Sequence, residues 1–139
     1  MMMEERERGF EEISHTADWA LRVWAPDLPV LFAQAAEGMY WLMQVRLENN
    51  PRIEHSLELE GPDVESLLVT FLTELLYLGE RDGLGFDQFR ITLAGSRLMV
   101  KAHGGQIAEQ QKEIKAVTFH NLAVTANDAG YSTTIVFDV

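Results

Sequence analysis

The chain has 139 residues, no cysteine, and 22 acidic side chains against 11 Lys and Arg, which sets the net charge at -11. That length suits one domain able to bury a core without staples, and the lack of cysteine excludes disulfides, thiolate metal sites, iron–sulfur ligation and a cysteine nucleophile. The acidic balance argues against direct, strong binding of RNA or DNA through the phosphate backbone, which takes clustered cations; it favours basic protein partners or divalent cations, although acidity also serves plain solubility.

In chain order, residues 1–9 open as Met1-Met2-Met3-Glu4-Glu5-Arg6-Glu7-Arg8. They have no apolar run of signal-peptide length, so they are expected to be a flexible polar amino terminus on a single domain at 10–139, with nothing directing the protein out of the cytosol. A strand is expected over Phe10 to Ser14. A second is expected over Trp19 to Ala25, where Trp19, Leu21, Val23 and Ala25 share a face at period two. The period then changes. Leu28, Leu31, Phe32, Ala35, Met39, Leu42 and Met43 recur at helical spacing. Asp27 is placed to cap this helix and Pro29 falls in its first turn, where a missing N–H matters little. Gly38 sits in mid-helix at a cost of about 1 kcal/mol relative to alanine unless close packing needs it.

Pro51 to Glu60 alternates again, with Ile53, His55, Leu57 and Leu59 opposite Glu54, Ser56, Glu58 and Glu60, as in a strand with one solvated acidic face. Gly61-Pro62-Asp63 ends it and opens a second helix with the apolar stripe Val64, Leu67, Leu68, Phe71, Leu72, Leu75 and Leu76, capped by Asp63. Gly79, Gly83 and Gly85 are expected to terminate that helix and form a loop. Gln34, Glu37, Glu65 and Glu74 interrupt both helical stretches, so neither reads as a membrane span. The remainder reads as an antiparallel meander: Phe86 to Ala94, a turn at Gly95-Ser96, Arg97 to Ala102, a loop through Gly104-Gly105, Ile114 to Val124, and Tyr131 to Val139. The class is therefore α+β, a mainly antiparallel sheet of about seven strands with two core helices packed on one face.

No phosphate loop, nucleophile elbow or H-E-x-x-H pair is present. Three polar segments remain. His15-Thr16-Ala17-Asp18 forms a turn ahead of the Trp19 strand, either an ordinary turn in which Asp18 or Thr16 bonds its own backbone or a group of ligands. At the other end an apolar strand runs into Asp138-Val139, where an aspartate would stand beside a terminal carboxylate. Such oxygens repel unless a cation or a donor compensates them, and hard ions such as Ca²⁺ and Mg²⁺ take oxygen ligands. If the fold brings Asp18 near this end, three carboxylates converge and a calcium or magnesium site is one reading; the other is that Asp138 pairs with a basic side chain, and periodicity does not choose between them. The third segment is Glu113 to His120. Alternation there sets Ile114, Ala116 and Thr118 against Lys115, Val117 and Phe119, and Lys115 reads as a snorkelling strand lysine or a functional one. A histidine such as His120 near a strand end is most often simply solvated.

Taken in order, Phe10-Glu11-Glu12-Ile13 before His15-Thr16-Ala17-Asp18, Leu31-Phe32 with Ala35-Ala36, Leu67-Leu68 through Glu74-Leu75-Leu76-Tyr77, Glu113 to His120 and the final Asp138-Val139 resemble the archease family over roughly Phe10 to Val139. The resemblance implies a cytoplasmic accessory protein, not an enzyme, which activates an RtcB-type RNA ligase in tRNA splicing and RNA repair. It would promote the ligase's guanylylation and turnover and widen its nucleotide use. It also implies a divalent ion, generally Ca²⁺, at Asp18, Asp138 and Val139, with Lys115 and His15 as the residues that meet the partner. The stretch Gly104 to Lys112 departs from the family, which usually has a longer loop there containing an Asp and a His. Two other readings stay open: a small divalent-metal-dependent hydrolase with His15 or His120 as base, and a general chaperone or adaptor for RNA-modifying enzymes.

Overall fold

The computed structural model describes residues 7–13 and 18–139. The elements run β1 (Gly9–Ile13), β2 (Trp19–Ala25), α1 (Leu28–Met43), β3 (Val45–Leu47), β4 (Ile53–Glu60), α2 (Val64–Asp82), β5 (Leu84–Ala94), β6 (Arg97–Gln110), β7 (Ala116–Val117), β8 (Thr125–Asn127) and β9 (Gly130–Asp138). Among the described residues no helix is long and apolar enough to cross a membrane. The expected flexibility of the amino terminus concerns, for residues 1–6, a segment outside the described residues.

Both helices start and stop where local chemistry dictates. Asp27 is extended (φ -143°), and its carboxylate accepts from the Val30 N–H at 2.9 Å. Asp63 does the same for the Ser66 N–H at 2.7 Å, so each cap satisfies an N–H that the helix itself leaves unpaired. At the far ends Gln44 and Gly83 take left-handed conformations, with φ of 55° and 68°, and turn their N–H groups back onto the last helical carbonyls.

The strands are all antiparallel but form two sheets. The five-stranded sheet runs β1-β2-β9-β7, with β8 also beside β9; in the four-stranded sheet β6 carries β3 and β4 along one side and β5 along the other. The α+β class and the two core helices are as expected. Helix α1 touches β1 and β2 of one sheet and β5 of the other, while α2 touches β4, β5 and β7, so the helices fill a core shared by both sheets. Its centre is aromatic: Phe32 and Phe71 stack at 6.0 Å, and Phe71 meets Phe89 edge-on at 5.9 Å. Phe32, Phe71 and Phe137 are wholly buried, each contributing about 1.5–3 kcal/mol by leaving water.

Three expectations need correction, and one strand was not foreseen. Gly104 and Gly105 lie inside β6, which continues to Gln110, and not in a loop. A Cβ on Gly104 would collide with the Gly85 carbonyl, so glycine serves there as a point of close backbone approach. Of the three glycines assigned to the helix end, only Gly83 caps α2; Gly79 is within the helix and Gly85 within β5. Val45–Leu47 is a strand that periodicity does not reveal, being too short to show one. Finally, Ile114 to Val124 is not one strand: only Ala116 and Val117 pair with β9, and a turn with Asn121 at φ 52° follows.

Candidate functional site

The arrangement of interest is built by the centre of the five-stranded sheet. Strand β2 enters its ladder at Trp19, which faces Phe137 of β9. Extending that register one residue sets Asp18 against Asp138, and antiparallel partners stand about 5 Å apart. On the other side of β9, Ala116 faces Asp138 and the Lys115 N–H donates to the Asp138 carbonyl at 2.8 Å. Asp18, Asp138, Val139 and Lys115 therefore share one end of one sheet, although they come from three distant stretches of sequence.

Burial changes abruptly at this end of β9, where Ile135, Val136 and Phe137 are all buried and Asp138 is not. Phe137 is wholly buried beneath the sheet while Asp138 is exposed, and Trp19 and Asp18 are half-buried. Phe137 thus anchors the strand whose next residue presents a carboxylate. Lys115 is exposed, but the expected alternation about it fails, because Ile114 and Val117 are both buried while Ala116 and Phe119 are exposed. The physical reason is that the chain is extended and paired over only two residues. Sequence reasoning missed Lys112, whose ammonium lies 5.2 Å from the centre of the Trp19 ring. A cation over an indole at such a site is worth about 0.5–1 kcal/mol and brings a second lysine to this end. No local pattern could have announced that contact.

His15 lies outside the described residues, as do its neighbours Ser14, Thr16 and Ala17. His120 is exposed on the turn after β7, with its Nε2 at 3.3 Å from Asn121 Nδ2. Among the described residues no three His, Asp or Glu side chains gather in ligating geometry. The donors available are the two carboxylates and the main-chain oxygen of Val139. Hard oxygen donors of this kind fit Ca²⁺ or Mg²⁺, with water completing the shell, and do not fit a soft metal.

A family model described as "Archease protein family (MTH1598/TM1083)" matches residues 10–139. Protein archease of Pyrococcus furiosus is 32% identical over 125 residues, spanning 84% of this chain and 88% of that protein. Protein archease of Methanopyrus kandleri is 33% identical over 138 residues, spanning 94% and 99%. The solution structure of Methanobacterium thermoautotrophicum protein 1598 superposes with a TM-score of 0.71 at 26% identity, over 94% of this chain and 99% of that one. The crystal structure of an archease from Thermotoga maritima, described as a possible chaperone, gives a TM-score of 0.69 at 23% identity over 93% and 96%, a likeness of fold. The chain belongs to the archease family.

Proposed function

We propose that this protein is a cytoplasmic, non-enzymatic accessory factor that docks on an RtcB-type RNA ligase and promotes its guanylylation and multiple turnover in tRNA splicing or RNA repair. The observation that supports this reading is the meeting of Asp18, Asp138 and the Lys115 main chain around the end of β9. In a chain of net charge -11, that end suits a basic enzyme that handles nucleotides and RNA.

Asp18, Asp138 and the Val139 main-chain oxygen would hold a divalent ion, most readily Ca²⁺. The ion would supply positive charge that lets two carboxylates sit side by side. Lys115, fixed through its own N–H to the Asp138 carbonyl, carries its ammonium at the rim, where it can meet a phosphate or an acidic group of the ligase. His15 belongs to the same turn as Asp18 in sequence and is assigned to the same contact.

The test compares multiple-turnover RNA ligation by a cognate ligase with and without this protein. Activation is expected, and Asp18→Ala and Asp138→Ala should each abolish it. An unchanged rate with the wild type rejects the function; full activation by both variants rejects the ion site. A second reading, a chaperone or adaptor of broader reach, takes its support from the description of the Thermotoga maritima relative as a possible chaperone. Recovery of many unrelated partners in equal yield from a pull-down would favour it.

A further inference from the structure

The four-stranded sheet buries Leu98, Val100 and Ala102 of β6 and turns the residues between them to solvent. Register aligns that outer face in rows across β4, β6 and β5. Ser56, Lys101 and Arg90 form one row, and Glu58, Met99 and Thr92 form the next. These side chains line an open groove of about 470 Å³, a volume in the range of small-ligand sites. The groove belongs to a different sheet from the one that carries Asp18 and Asp138.

The first row places like charges together. Lys101 and Arg90 are direct cross-strand partners on one face, where like charges destabilise a sheet. The chain has 22 acidic side chains for 11 Lys and Arg, so acids are not in short supply. Among the described residues, however, neither Lys101 nor Arg90 stands within salt-bridge distance of a carboxylate. The acids of this face have other neighbours: Arg97 lies 2.8 Å from Glu58 and 3.9 Å from Glu60, and His103 lies 3.7 Å from Glu54. All of those acids stand on β4, so the groove is positive towards β5 and β6 and negative along its β4 margin. Beside the cations, Ser56 and Thr92 offer hydroxyls, and Met99 is a large apolar side chain that is 38% exposed.

We infer that this groove binds a nucleoside monophosphate: the phosphate bridges the Arg90 guanidinium and the Lys101 ammonium, the Ser56 hydroxyl donates to it, and the base lies on Met99. A dianion between the cations removes their repulsion and takes charge-assisted hydrogen bonds from both. A thioether makes favourable contact with an aromatic ring. Met99 stands two residues from Lys101 along β6, a step of about 7 Å that the sugar of a nucleotide spans. A single phosphate fits better than a strand, because successive phosphates running across the sheet would meet Glu54, Glu58 and Glu60.

The test titrates the full chain with adenosine monophosphate, inorganic phosphate, adenosine and a single-stranded RNA oligonucleotide. Calorimetry and the ¹³C-methyl resonance of Met99 report binding, with thermal unfolding of each variant in parallel. The monophosphate should bind saturably with a dissociation constant of about 1 mM or below, more tightly than phosphate or adenosine alone, and should shift the Met99 resonance. Arg90→Gln should weaken it by about 10-fold or more. Lys101→Glu should abolish it while leaving the unfolding midpoint unchanged or higher, since glutamate then faces Arg90 as an ion pair. Lost binding in that variant is therefore not lost folding. Absence of saturable binding by wild type, an unmoved Met99 resonance, or undiminished affinity in both variants overturns the site. Inorganic phosphate bound as tightly as the monophosphate, or RNA bound more tightly, overturns the nucleotide as its ligand.

Discussion

Gly38→Ala is expected to destabilise the protein, against the usual rule for helix interiors. On propensity alone, alanine at position 38 of α1 gains about 1 kcal/mol over glycine. A Cβ there, however, would stand 2.5 Å from Leu21 Cδ2 and 2.9 Å from Phe10 Cγ. Carbon atoms pack best at about 3.5–4.0 Å, so the methyl group overlaps its neighbours by about an ångström. Leu21 is wholly buried and cannot swing into free space, and the Phe10 ring is backed by Trp41. Overpacking of this kind costs about 1–3 kcal/mol, which leaves a net loss of about 1 kcal/mol, or about 3 °C in the unfolding midpoint for a chain of this size. The functional consequence follows from position: α1 rests here on β1 and β2, and β2 starts beside Asp18, so lifting the helix disturbs the mouth of the candidate site. Urea denaturation followed by circular dichroism and tryptophan fluorescence measures the change. A variant more stable than wild type would show that helix propensity governs position 38 and that the sheet yields to it.

Three further expectations concern single groups. Tyr40 is buried, its hydroxyl has no hydrogen-bond partner, and burial drives its pKa well above the ordinary tyrosine value, a rise that the nearby Phe86 main chain only partly offsets. Tyr40→Phe should therefore be neutral or raise stability by about 1 kcal/mol in urea denaturation, and a loss of that size would reveal a hidden partner. Because burial disfavours the phenolate, the folded value is raised: stability is unaffected by this group below pH about 10 and falls as pH climbs from there through the folded value, so Tyr40→Phe should also flatten the alkaline limb of the stability curve. The Asp63 carboxyl is held below its usual range chiefly by the Ser66 main-chain N–H and then by the Ser66 side chain. With a depressed folded value, its contribution is present above pH about 4 and fades as pH falls through that folded value, so Asp63→Ala should lower the midpoint at neutral pH and narrow its gap to wild type in acid. Calcium at about 100 times its dissociation constant should raise wild-type stability by about 2.7 kcal/mol, reversed by chelator and absent in Asp18→Asn and Asp138→Asn; a wild type indifferent to calcium removes the ion from the scheme.

Both helices and the Trp19–Ala25 strand were legible because their signals are local. Asp27 and Asp63 act within three residues, and a half-buried strand writes its pleat directly into the order of side chains. Where glycine appears the reading fails, since one residue type serves opposite ends: Gly83 supplies a left-handed cap, while Gly104 lets two backbones meet. Around Ile114 the apparent alternation is coincidental, because the turn at Thr118 is imposed by Val136, a residue well along the chain. The candidate site was legible as residue types and not as an assembly. Asp18 and Asp138 could be singled out as carboxylates at strand ends, but their adjacency depends on β2 pairing with β9, and Lys112 over Trp19 on a contact that no spacing encodes.

Charge accounting over the whole surface gives that assembly its sharpest consequence. Arg22, Arg46, Arg52, Arg81 and Arg97 each stand within salt-bridge distance of a neighbouring carboxylate. Among the described residues, no Lys or Arg forms such a pair with Asp18 or Asp138. Five arginines are thus spent on acids elsewhere, and the charges gathered at the end of β9, Asp18 and Asp138 together with Lys112 and Lys115, stay open to something from outside, an ion or a charged surface. The exposed pairs contribute little to folding and should leave stability nearly insensitive to salt. Docking should behave differently, because screening shortens from about 10 Å at 0.1 M to about 3 Å at 1 M salt. Association with the proposed ligase should slow steeply over that range while dissociation changes less, since long-range attraction acts on encounter and short-range contacts act on residence. Stopped-flow mixing at graded salt separates the two rates, and an association rate independent of salt would mean that the chain's net charge of -11 does not steer the partner.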